Sequence, residues 1–96
     1  MDLKEIFEKY NDEYLKFEKI PEHERLSDRP DLHAFILLNQ LAPAPNGGDI
    51  IGGSEHDEIW LNFNIEKLSE VATEEQIRDL IRAGVRYDDE GLCMFV

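Results

Sequence analysis

The sequence predicts an α+β fold: three to four helices packed on a small antiparallel sheet of two or three strands, with a C-terminal hairpin. Three observations carry this. Leu3, Ile6, Phe7, Tyr10, Tyr14 and Phe17 recur at the spacing of one helical face. Glu58-Ile59-Trp60-Leu61-Asn62-Phe63 alternates as a strand does. The segment after Gly84 reads as two arms around Asp88-Asp89-Glu90-Gly91. No repeat, low-complexity tract or long linker divides the chain, so residues 1–96 form a single domain.

The first helix should start behind Asp2, whose carboxylate can accept an early amide, with Glu5 completing a capping-box pattern. Pro21 should end it near Ile20. Its aromatic stripe suits the core, because a chain this short needs every large side chain inside. Residues 21–30 are polar and read as a loop. Ser27 or Asp28 then offers an N-cap, and Pro30 suits a first helical turn. The second helix should run from Pro30 to Leu41. Leu32, Ala34, Phe35, Ile36, Leu37, Leu38 and Leu41 leave it little polar face, which predicts burial on several sides or an oligomer interface. His33, near its start, is expected to be exposed. Pro43, Pro45 and Asn46-Gly47-Gly48 stop the helix.

Asp49-Ile50-Ile51-Gly52-Gly53 reads as a short strand or an ordered loop. In the strand that follows, Ile59, Leu61 and Phe63 should face one way, and Glu58, Trp60 and Asn62 the other. Asn64 can cap a short helix over residues 65–70. Thr73 and Gln76 form a capping box for a helix over residues 74–83, with Ile77, Leu80 and Ile81 buried and Gly84 as the left-handed cap. Val85-Arg86-Tyr87 and Leu92-Cys93-Met94-Phe95-Val96 are the hairpin arms. The apolar second arm needs partners on its edges, from inside the sheet or from a second protomer.

The charge pattern narrows the function. The chain has 22 Asp+Glu against 10 Lys+Arg, a net charge of −12. That balance argues against nucleic-acid or anionic-membrane binding, both of which need a cationic face. No apolar run is long enough to span a membrane, and Met-Asp-Leu-Lys-Glu is no signal peptide, so a cytoplasmic protein is expected. The single cysteine excludes an internal disulfide and any multi-cysteine metal centre. Cys93, inside an apolar strand, reads as a small hydrophobe. No P-loop, nucleophile elbow, dinucleotide-binding glycine pattern or HExxH is present. Arg78, Arg82 and Arg86 cluster, but Glu74, Glu75 and Asp79 suit a salt-bridged surface there.

No Lys or Arg occurs between Arg29 and Lys67, so Glu55, Asp57 and Glu58 lie in the least neutralised part of the chain. Asp88, Asp89 and Glu90 would join them if the hairpin pairs with the Glu58–Phe63 strand. Such a strip attracts a basic protein. Trp60 is either its aromatic anchor or part of the core. The expected function is therefore non-enzymatic protein–protein contact, without cofactor or metal, with a homodimer possible. The alternative is a metal-dependent or acid–base enzyme centred on His56, which has Asp57 and Glu58 as sequence neighbours.

At Glu55-His56-Asp57-Glu58-Ile59-Trp60-Leu61 and Leu80-Ile81-Arg82-Ala83-Gly84-Val85-Arg86-Tyr87-Asp88, and again at Leu92-Cys93-Met94-Phe95-Val96, the chain resembles small proteins encoded by bacteriophages and prophages. The resemblance covers the C-terminal half. It implies a bacterial host and an accessory, host-takeover or anti-defence role. It supplies no activity and no functional residues.

Overall fold

A computed structural model describes residues 1–89 and 91–95. Asp2 opens the first helix, α1 (Leu3–Lys9), by accepting the Glu5 amide at 3.3 Å. The helix stops at Lys9, eleven residues short of the expected end near Ile20. Single 3-10 turns follow at Asn11–Glu13, Phe17–Lys19 and Glu22–Glu24. Leu15 takes a left-handed φ of 62°, and its amide donates to the Ile81 carbonyl at 3.2 Å. A tertiary bond has replaced the helical one. Tyr10, Tyr14 and Phe17 still pack against the core, so the stripe reports burial and not helix length.

Helix α2 spans Pro30–Leu41, as the proline and the apolar run require. Its N-cap is Arg29, without a side-chain cap bond; Ser27 Oγ accepts the Arg29 amide at 3.1 Å from outside the helix. His33, Ala34, Leu37 and Leu38 are its buried positions, and Leu32 is exposed. Phe35, Ile36 and Leu41 are half-buried, so the helix is covered on several sides but not all round. His33 corrects the expectation of exposure, with only 2% of its surface accessible.

Strand β1 is Ile51–Glu55 and β2 is Glu58–Leu61. Helix α3 (Ile65–Val71) starts with Lys67 donating to Asn64. Helix α4 (Glu74–Arg82) starts at a complete capping box: Gln76 N–H donates to Thr73 Oγ1 and Thr73 N–H to Gln76 Oε1. Gly84 follows at φ 99°, a conformation that glycine takes without the Cβ penalty. Strands β3 (Arg86–Asp88) and β4 (Gly91–Phe95) form the hairpin.

The sheet has four antiparallel strands in the order β1-β2-β4-β3, one more than expected, because the Gly-rich segment at 51–55 is a strand. Strand β4 lies inside the sheet: Cys93 pairs on both sides, Met94 and Phe95 with β2, and Gly91 and Leu92 with β3; Val96 lies outside the described residues. Register fixes the faces. Ile59 pairs with Met94 and Tyr87 with Leu92, and all four pack with Leu61 on the core. Leu38, Leu68, Ile77 and Leu80 close the core from the helices. Each such buried side chain contributes about 1.5–3 kcal/mol.

Candidate outer-face contact site

The opposite face of the sheet carries the residues of interest. Gly53, Trp60, Cys93 and Arg86 are direct neighbours across the four strands. One pleat along, Glu55, Glu58 and Phe95 form a second row. Strand alternation puts both rows on one face. Cys93 is the one fully buried residue of these rows, and no residue of either row joins the main hydrophobic cluster beneath the helices. Trp60 is half-buried and Phe95 is 54% exposed.

Glu55, His56, Asp57, Glu58, Trp60 and Phe95 line one shallow depression of about 440 Å³. Its floor is aromatic and its rim acidic. Gly53 helps expose the floor: a Cβ there would lie 3.9 Å from Trp60 Cε3, so glycine leaves that side of the indole bare. The Trp60 indole N–H is enclosed and has no hydrogen-bond partner among the described residues. Beside the depression, Arg86 lies over the Phe95 ring, 4.1 Å from its centroid, and donates to Glu58 Oε2. This face therefore already holds one guanidinium between an aromatic ring and a carboxylate.

Cys93 sits beneath these side chains, fully buried, with its Sγ 3.5 Å from Asp88 Oδ2. Burial first, with help from the neighbouring carboxylates, pushes its thiol up to about 11. It stays protonated and poorly nucleophilic at neutral pH. Glu58, Asp88 and Cys93 have ligand-type atoms within 4.8 Å of one another. A cation entering there meets the Arg86 guanidinium and a thiol proton.

The structure thus brings Glu55, Asp57, Glu58 and Trp60 together. Asp88 joins them through Cys93 and Glu58. Asp89 is exposed in the β3–β4 turn, and Glu90 lies outside the described residues. His56 occupies the tip of the β1–β2 turn at φ 55°, with its ring 88% exposed and Glu55 at 3.7 Å. Phe95 and Arg86 are the site residues that sequence reading missed. Their signal was the alternation of β4, which becomes informative once Trp60 is known to pair with Cys93.

The expected pairs form, Arg78 with Glu75 at 2.9 Å and Arg82 with Asp79, but Arg82 is buried and not on the surface. Its buried guanidinium holds Glu13 at 3.3 Å and Asp79 at 3.2 Å, joining α4 to the turn after α1. No helix of the described residues is long and apolar enough to cross a membrane. Comparison with family models, curated proteins and solved structures gives no match to this chain.

Proposed function

We propose that this chain is a non-enzymatic contact protein of the bacterial cytoplasm that grips a basic protein with the outer face of its sheet. The supporting observation is the pairing of an aromatic floor, Trp60 and Phe95, with an acidic rim, Glu55, Asp57 and Glu58, on a face outside the core. Aromatic side chains supply contact area, and the surrounding charge supplies steering and register. An accessory, host-directed role in a phage or prophage setting is consistent with a small protein that works by contact alone.

Glu58 is already engaged by Arg86, so Glu55 and Asp57 are the carboxylates to test. Affinity capture from bacterial lysate, with wild type, Glu55→Lys/Asp57→Lys and His56→Ala in parallel, is the experiment. A basic protein should be retained at low salt, released at high salt, lost in the charge-reversed variant and kept by His56→Ala. Capture that depends on His56 and ignores salt would contradict the proposal.

A further inference from the structure

We infer that the partner binds as an extended arginine-bearing segment that adds a fifth strand to the free edge of β1. This rests on the contact reading above and specifies its partner. Strand β1 is an edge strand, with β2 on one side only. One row of its backbone amides and carbonyls is therefore open to pairing. Natural edges are commonly blunted by lysine, proline or cover. Residues 51–55 contain neither lysine nor proline, and four of the five are exposed; the register shifts between Ile51 and Gly53, so the regular edge offered is Gly53–Glu55.

The register states what an added strand would meet. A residue opposite Gly53 continues the row that contains Trp60, and no side chain on Gly53 separates them. A residue two positions away, opposite Glu55, continues the row that contains Glu58 and Phe95. Side chains of the incoming segment therefore reach the depression at alternate positions, one beside the indole and one beside the carboxylates. Backbone pairing supplies affinity and these two places supply selection.

The chemistry at both places favours a guanidinium. Arg86 shows the arrangement within the chain itself, stacked over Phe95 and bonded to Glu58. A second arginine beside Trp60, with Glu55 and Asp57 near, repeats that geometry. A planar guanidinium stacks and forks in ways that an ammonium does not. A second copy of this chain is a poor occupant, since two chains of net charge −12 repel one another and β1 itself brings no arginine.

The test uses the full chain and an acetylated, amidated peptide of alternating arginine and threonine. A second peptide of the same sequence carries N-methyl groups on alternate amides, which removes strand pairing and keeps the charge. Amide hydrogen exchange of residues 51–55 and the emission of Trp60 are read together. The unmodified peptide should shift Trp60 emission saturably and slow exchange at β1 by about tenfold or more, and the methylated peptide should do neither. Equal binding of both peptides, or protection away from β1, would overturn strand addition while leaving the basic-contact reading intact. Binding of neither peptide would overturn both.

Discussion

Burial sets the chemistry of His33. Its Nδ1 accepts the Leu26 amide at 3.1 Å, and Phe17 packs edge-on at 5.5 Å. Burial first, then the charge of Arg25, hold its imidazole below the ordinary 6.5. As pH falls below that value the unfolded chain takes up the proton first. The stability from neutral His33 is therefore complete above 6.5 and is lost as pH drops through the folded value. Asp79, raised by burial and then by Glu75, has the opposite sign and acts around the carboxylate range. Denaturant melts of wild type and His33→Gln at ~pH 7.5 and ~pH 5.5 separate the two groups. Wild type should lose more stability on acidification than the variant. Equal losses would remove the burial argument. Nothing in the sequence distinguishes His33 from an exposed histidine near a helix start. What buries it is the chain from Phe17 to Leu26 folding over α2, a tertiary event.

Elements whose ends are fixed locally were legible, and those fixed from afar were not. Asn64, Thr73 with Gln76, and Gly84 are each sufficient to start or stop a helix by their own hydrogen bonds or backbone freedom, and α3 and α4 begin and end where those residues predict. Thr73→Ala should lower stability by about 1 kcal/mol, because the Gln76 amide in the first turn of α4 loses its Thr73 Oγ1 acceptor. A chemical-denaturation curve showing no change would mean that α4 is held by packing alone. Helix α1 is the opposite case. Residues 10–17 keep helical spacing with no glycine or proline among them. Their path is set by the bond from Leu15 to Ile81 and by Arg82 drawing in Glu13, and both partners lie more than sixty residues away. Strand β1 was ambiguous for a related reason. Its glycines carry no alternation, and its strand character comes from pairing with β2.

For the whole molecule, the acidic strip was readable from charge spacing, whereas its aromatic floor was not. The gap in basic residues from 30 to 66 marks Glu55, Asp57 and Glu58 in the sequence itself. That Phe95 joins Trp60 depends on β4 lying between β2 and β3, which strand order alone decides. That order also places β4 between two strands of the same chain. A net charge of −12 attracts basic groups at long range, and in the proposed contact the outer face would supply the short-range contacts. Trp60 is the single tryptophan, so it reports on its own site. The most direct measurement is its emission during titration with deca-arginine, at low and high salt, in wild type and in Glu55→Lys/Asp57→Lys. A saturable change that weakens with salt and is lost in the variant is the predicted result. An unchanged emission, or a change of equal size in the variant, would contradict the assignment of this face as a basic-partner site.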